Sequence, residues 1–299
     1  MKRITKVGVI ANVSKPEAIA TLRQLVSLLR ARNIRVVAEI KTAPVCGCPI
    51  SAKPLSNLAR SVDVLAAIGG DGTMLRVARG IDGLPTPIFG INLGGLGFLT
   101  TTASQDLPQS VGALLAGKFR LTDRSMIEAR VVRNGKRAWE RRALNDIVLA
   151  RGATARIVRI EVRVDDELLG DYLCDGLIFS TPTGSTAYSL SAGGPIVTPT
   201  ARAMIIAPIC PHAISNRPVV VGADAEMTAR LSRTGHKAHP DRHASDLILS
   251  VDGQEQIKLS PRDEVRLRTA KPTVRLITLP GHSFLEVLRR KLHWRGAYV

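Results

Sequence analysis

The spacing of the apolar residues changes once along this chain, near Leu121, and that change limits the available folds more than any other feature. Before it, short apolar runs suited to buried parallel strands alternate with stretches of helical spacing. "VGVIA" (Val7 to Ala11) is the first run. "SKPE" then opens a helix, with Ser14 as N-cap, Pro16 in the first turn and Glu17 in the capping-box position. Ala18, Leu22, Leu25, Val26 and Leu29 give that helix one buried stripe. "IRVVAEI" (Ile34 to Ile40), Val62 to Ile68 and "TPIFGIN" (Thr86 to Asn92) follow as further strands, and a helix from Gln105 to Leu115 closes this half.

Beyond Leu121 the alternation becomes that of half-buried strands. Ser125 to Val132 leads into Asn134-Gly135, a hairpin turn. In Ile157 to Val164, residues Val158, Ile160, Val162 and Val164 fall on one face and Arg159, Glu161 and Arg163 on the other. Leu177 to Ser180, Met204 to Ile209, Leu247 to Val251 and Val274 to Leu279 continue the pattern. A last amphipathic stretch, "SFLEVLRRKLHW" (Ser283 to Trp294), is helical by spacing. The expected architecture is an α/β N-terminal domain with a parallel, Rossmann-like sheet (residues 1–120) and a β-rich, sandwich-like domain (121–280). A C-terminal helix (281–299) is expected to pack back on the first domain. Thr234 to Asp246 reads as a polar, mobile loop whose three histidines are exposed rather than ligands.

Composition narrows the setting. With 299 residues and 45% apolar content the chain can bury two cores. No opening run has the pattern of a secretory signal, and no apolar stretch approaches the roughly 20 residues needed to span a bilayer, so the expectation is a soluble cytoplasmic protein without membrane contact. Cys46, Cys48, Cys174 and Cys210 are then expected as reduced thiols, and Cys46-Gly47-Cys48 lacks the second pair of a structural zinc site. The net charge of +17 points to an anionic partner. Between Arg120 and Arg163 twelve Lys or Arg stand against five Asp or Glu, a pattern that also fits a solvated basic sheet face. Only 3% of residues are aromatic, which weighs against nucleic acid.

Two glycine- and hydroxyl-rich turns carry the chemistry. "AAIGGDGTML" (66–75) delivers an apolar strand into a loop that is neither of the familiar phosphate loops. Glycines at the carboxyl end of a parallel strand let backbone amides approach phosphate, and a helix opening near Thr73 adds a positive dipole. Asp71 beside a polyphosphate is repulsive unless it holds a metal ion or takes a proton; the alternative is a tight turn closed by an Asx-type hydrogen bond. The second turn lies in "DGLIFSTPTGSTAYSLSAGGPI" (175–196), whose hydroxyls suit the acceptors of a nucleotide.

These motifs, with "NLGGLGFLT" (92–100), "LND" (144–146), "PICPHAISNRPVV" (208–220) and "VDGQ" (251–254), resemble the NAD kinase family over nearly the whole chain. GGDGT alone is shared with diacylglycerol and sphingosine kinases, whereas the 175–196 stretch is specific to the NAD kinases. The resemblance implies ATP-dependent phosphorylation of NAD to NADP in a crevice between two domains, with Mg²⁺ accompanying ATP and a homodimer or homotetramer as the assembly. It makes Asp71 the general base and gives Gly69, Gly70, Gly72 and Thr73 to the ATP phosphates. No protein side chain is assigned as a fixed metal ligand. For NAD it implies Asp71, Gly72, Phe98 against the adenine, and Asn145 and Asp146 on base and ribose. It adds Asp175 and the run Thr186, Ala187, Tyr188, Ser189, Leu190 and Ser191, with Tyr188 as a flat wall, and Arg156, Leu173 and Gln254 as flanking positions. Asp146 stands where the family usually has Glu, one methylene longer, and Leu173 where some members carry a basic residue. A lipid kinase is the nearest alternative, but the hydroxyl-rich "STPTGSTAYS" argues for a polar substrate. A basic nucleic-acid-binding protein is the alternative from another class.

Overall fold

A computed structural model describes residues 3–95, 97–152, 157–232 and 247–294. Arg156 and the Thr234 to Asp246 segment, on which expectations were placed, lie outside these. The elements begin with β1 (Lys6–Ala11), α1 (Pro16–Arg30), β2 (Arg35–Glu39), β3 (Ser51–Lys53), α2 (Leu55–Arg60), β4 (Val64–Ile68), α3 (Asp71–Gly80) and β5 (Ile88–Asn92). After β6 (Thr102–Ala103), α4 (Leu107–Leu115) and β7 (Arg120–Arg124) come β8 (Ile127–Arg133), β9 (Lys136–Ala143), β10 (Asp146–Arg151), β11 (Val158–Val164) and β12 (Glu167–Cys174). Next are β13 (Gly176–Ser180), α5 (Tyr188–Ser191), β14 (Ala203–Ile209), β15 (Val219–Gly222) and β16 (Met227–Leu231). The chain closes with β17 (Leu247–Val251), β18 (Glu255–Lys258), β19 (Glu264–Thr269), β20 (Val274–Thr278) and α6 (Phe284–Lys291). No helix among the described residues is long and apolar enough to cross a membrane.

Two compact units result, one of Met1–Asp123 with Thr273–Val299 and one of Arg124–Pro272. In the first, the sheet runs β3-β2-β1-β4-β5-β20-β7, and β3 through β5 pair in parallel. The strands are buried on both faces, as their uninterrupted apolar runs require. The strand over Val274 to Leu279, read from the sequence as part of the β-rich half, instead joins β5 in parallel through Leu276 and Ile88. A short apolar run does not encode which sheet it joins. The six-residue α2 and three-residue β3 went unread because neither is long enough to establish a period. Helix α1 starts with Pro16 at N1 and Lys15 at the N-cap; Ser14, expected there, donates its hydroxyl to Asn12 Oδ1 (2.7 Å). Helix α3 opens at Asp71 itself, not near Thr73.

The second unit is antiparallel. One six-stranded sheet runs β15-β14-β13-β10-β17-β18 and the other β12-β11-β16-β19-β8-β9. Ile147, Leu149 and Phe179 of the first meet Ile127, Ile160 and Leu267 of the second in one core, with Phe179 fully buried. Each such side chain contributes about 1.5–3 kcal/mol when removed from water. The opposite face of the first sheet buries Val148, Ile178 and Ile205 beneath Ala192 and Val197, so the hydroxyl-rich segment is fastened to a strand face. Three hairpin turns, Asn134-Gly135 (φ 51 and 74), Asp165-Asp166 (φ 49 and 66) and Asp252-Gly253 (φ 49 and 64), have both central residues at positive φ. That backbone matches the twist of the strands it joins.

Candidate active site

The order of parallel strands reverses between β1 and β4, where open α/β sheets place ligands. Ala11 and Ile68 end the two strands side by side, and Asn12 donates its N–H to the Ile68 carbonyl (3.0 Å). Gly69 and Gly70 follow directly. Gly70 is the N-cap of α3, and its carbonyl accepts the Thr73 N–H at 3.0 Å. A Cβ on Gly69 would stand 2.3 Å from Thr73 Oγ1, so only glycine fits against this buried threonine.

Asp71 makes no local turn bond of the kind weighed on the sequence. Its Oδ2 accepts the N–H of Phe98 and its Oδ1 that of Leu99, both at 3.1 Å. The two glycine motifs therefore form one arrangement, with the second gripping the carboxylate of the first. Gly97 is part of the grip: a Cβ there would lie 2.2 Å from Asp71 Oδ1. The loop is braced at its ends by Asn92 and Thr100. Asn92 Nδ2 donates to Thr100 Oγ1 (3.0 Å), which also accepts the Gly97 N–H (3.1 Å), and Asn92 Oδ1 accepts the Gly94 N–H (2.9 Å). The half-buried Phe98 ring lies 6.0 Å from Phe284 of α6, and Lys291 Nζ sits 5.7 Å from its centroid, a cation–π distance.

The second unit gathers another part of the expected set. Asn145 precedes β10 and Asp146 opens it, opposite the end of β13, where Asp146 pairs with Ser180. The Asn145 carbonyl accepts from the Thr181 N–H (2.9 Å) and Ser180 Oγ (3.2 Å), and Thr181 Oγ1 donates to the Leu144 carbonyl (2.6 Å). Gly184 comes so close that a Cβ would sit 2.1 Å from the Asn145 carbonyl oxygen. Ser185 is buried and bridges Pro182 and Val197, donating to the Pro182 carbonyl (2.7 Å) and accepting the Val197 N–H (3.0 Å). Thr186, Ala187 and Leu190 are half-buried, Ser189 is fully buried, and Tyr188 and Ser191 are exposed, Tyr188 by 47%. Ser189 Oγ and Thr183 Oγ1 are shielded from solvent without a hydrogen-bond partner among the described residues.

Asp146 is buried, and that burial, with the nearby Asp252 adding to it, pushes its carboxyl up to about 7. Asp252 was not singled out in the sequence, although its motif was. Its carboxylate accepts the backbone N–H groups of Leu144 (3.2 Å), Asn145 (2.8 Å) and Asp146 (3.3 Å). An Asp-Gly pair between strands was the available signal, since Asp tolerates the left-handed backbone and can bond neighbouring amides. Gln254 follows the same turn and is exposed.

Leu173 and Asp175 lie elsewhere. Asp175 precedes β13, opposite Arg151 at the far end of β10, about 17 Å along the ladder from Asp146 at strand spacing. It pairs with Arg151 Nε at 3.1 Å. The Leu173 carbonyl accepts the His212 N–H (2.9 Å).

Comparison with known proteins bears on what these clusters serve. Residues 52–119 match the family model described as the ATP-NAD kinase N-terminal domain, and residues 144–279 match the ATP-NAD kinase C-terminal domain. The NAD kinase of Syntrophotalea carbinolica is 41% identical over 294 residues, covering 98% of this chain and 99% of that protein. That of Moorella thermoacetica is 40% identical over 292 residues, covering 98% and 90%. Among solved structures, yeast NADH kinase complexed with NADH superposes with a TM-score of 0.89 at 22% identity, covering 100% of this chain and 90% of that one. An Archaeoglobus fulgidus NAD kinase in complex with ATP gives 0.75 at 21%, covering 97% and 100%; at these identities both show the shared fold. The lipid-kinase and nucleic-acid readings find no support in these matches. From two matched family domains that together span most of its length and relatives at this identity over nearly the full chain, the chain belongs to the NAD kinase family.

Proposed function

We propose that Asp71 is the general base of this chain's reaction, the ATP-dependent phosphorylation of NAD to NADP. One observation carries the assignment: consecutive amides of Phe98 and Leu99 each hold one oxygen of the Asp71 carboxylate. The grip fixes orientation, and each oxygen keeps a lone pair for a substrate proton. Asp71 would accept the proton of the adenosine 2′-hydroxyl as that oxygen attacks the γ-phosphorus of ATP and ADP departs. Phosphoryl transfer through a loose transition state asks for alignment more than for a strong base.

Gly69, Gly70, Gly72 and Thr73 are proposed to receive the ATP phosphates at the positive end of α3, and the Asn12 to Lys15 turn beside them extends that surface. The donor set fits a divalent cation that arrives with ATP. Asp71 offers hard carboxylate oxygens, and Mg²⁺ is commonly held by one or two carboxylates together with substrate phosphates. When bound, the cation would neutralise phosphate charge next to Asp71. Phe98 is proposed to pack against the adenine. Asn145 and Asp146 would hold base and ribose, and Asp175 with the Thr186 to Ser191 run the rest of the dinucleotide, with Arg156, Leu173 and Gln254 at flanking positions.

Purified protein incubated with ATP, Mg²⁺ and NAD is expected to form NADP, read with an NADP-specific dehydrogenase, with the new phosphate assigned to the 2′ oxygen by ³¹P NMR. No product at high enzyme concentration, or phosphate on another oxygen, would overturn the reading.

A further inference from the structure

The turn between β17 and β18 is built around a carboxylate that the proposed chemistry does not use. Asp252 adopts φ 49, a left-handed backbone that aspartate tolerates better than most non-glycine residues. Its carboxylate collects three consecutive amides, those of Leu144, Asn145 and Asp146, and its own N–H donates to the Asp146 carbonyl at 3.0 Å. In each of these three contacts Asp252 is the acceptor. None of the three amides goes to the Asp146 side chain, which is left buried beside a second carboxyl group.

Two neighbouring carboxyl groups in unlike surroundings divide their roles: one accepts, the other holds a proton and can donate. We infer that Asp252 is the positioning residue of this site: it orders the backbone of Leu144, Asn145 and Asp146 and makes the Asp146 side chain a hydrogen-bond donor toward a ribose hydroxyl of NAD. The inference rests on the assignment of Asn145 and Asp146 to NAD. The elements around Asp146 leave Asp252 as its electrostatic partner among the described residues. β13 (Gly176–Ser180) and β17 (Leu247–Val251), which flank β10, carry no titratable side chain, and neither does the turn from Thr181 to Ala187. On β9, Arg141 Nε donates to Glu255 of β18 (2.9 Å) and Arg142 Nε to Glu128 of β8 (3.3 Å).

In its acid form Asp146 donates where an ionised carboxylate would accept. The direction of that hydrogen bond is open to measurement.

The test uses the full chain and three proteins: the unaltered enzyme, Asp252→Asn and Asp146→Asn. Asparagine at 252 keeps an acceptor oxygen and tolerates positive φ, and the thermal midpoint checks the fold. Steady-state kinetics in NAD from pH 5.5 to 8.5 would be combined with the carboxyl ¹³C shift of Asp146, assigned by its loss in Asp146→Asn. The unaltered enzyme is expected to lose kcat/KM for NAD above the Asp146 titration. Asp252→Asn should raise KM for NAD about tenfold, change kcat by no more than about twofold, and move both the ¹³C titration and the kinetic fall to lower pH. In Asp146→Asn, a permanent donor, the alkaline fall should vanish whatever its absolute rate. An unmoved ¹³C titration in folded Asp252→Asn, or an alkaline fall that persists in Asp146→Asn, would overturn the inference and leave the kinase reading standing. Failure of the unaltered enzyme to form NADP would overturn the kinase reading itself, while the ¹³C arm would still report which carboxyl holds the proton.

Discussion

A methyl group has no room at position 97. The Gly97→Ala Cβ would fall 2.2 Å from Asp71 Oδ1 and must displace either the carboxylate or the loop that holds it. Misplacement by about 1 Å is enough to cost roughly 10²-fold in rate, and that loss is expected in kcat alongside a fall of a few degrees in the thermal midpoint. Steady-state kinetics together with a melting curve check both. Asp146 makes a separate prediction about stability. Its carboxyl is raised in the folded chain from the ordinary 3.8 to about 7, so the folded state binds this proton more tightly. The resulting stabilisation is full below about 3.8 and is lost as pH rises through 7. Asp146→Asn should therefore raise the thermal midpoint relative to the unaltered chain at pH 8 and bring little or no gain at pH 4.5; a larger gain at the acid end would contradict the assignment. In the sequence, Asp71 stood out because a charge among glycines is conspicuous. Gly97 and Asp252 did not, because what each touches lies 26 and 106 or more positions away in the chain.

Helix α3 is held against the sheet by a bridge from Arg76 to Glu39 at the end of β2, bidentate at 2.6 and 3.1 Å. Thr42 stands next to it. Its hydroxyl donates toward Glu39 Oε2 (3.4 Å) and accepts the Ala11 N–H (3.0 Å), tying the end of β1 to the bridge that steadies the helix carrying Asp71. Thr42 is fully buried, so Thr42→Val would leave the Ala11 N–H without its acceptor, a cost of about 1–3 kcal/mol measurable by urea unfolding. At this scale apolar spacing was a sound guide to long elements and a poor one to short or non-local ones. The stripe Ala18, Leu22, Leu25, Val26 and Leu29 is the buried face of α1. The strand Val274–Thr278 carries the same kind of pattern as its neighbours in the chain, but its partner is Ile88, and pairing over that distance leaves no local trace. The start of α1 was read one residue early because Ser14 has a closer partner in Asn12 than in the helix amides.

Across the whole molecule, each unit has its own core and each carries part of the expected site: Asp71 and Phe98 in one, Asn145, Asp146 and the Thr186 to Ser191 run in the other. The motifs were legible as family signatures, and the amide grip on Asp71 and the Asp252 turn needed coordinates. The charge of +17 bears on polyanionic substrates. If it attracts them, KM for ATP should rise several-fold between about 0.05 and 0.5 M salt, over which screening shortens from more than 10 Å to a few ångströms, while kcat stays level. A flat KM would assign the charge another purpose.

The most direct measurement of the central claim is the rate of NADP formation by Asp71→Asn. Asparagine keeps the shape of the carboxylate and can still accept an amide, but it cannot take the 2′-hydroxyl proton. Its kcat is expected to fall by about 10² to 10⁴ with the fold intact and KM for NAD within a few-fold of the original. A folded Asp71→Asn that retains kcat within about tenfold would contradict the claim.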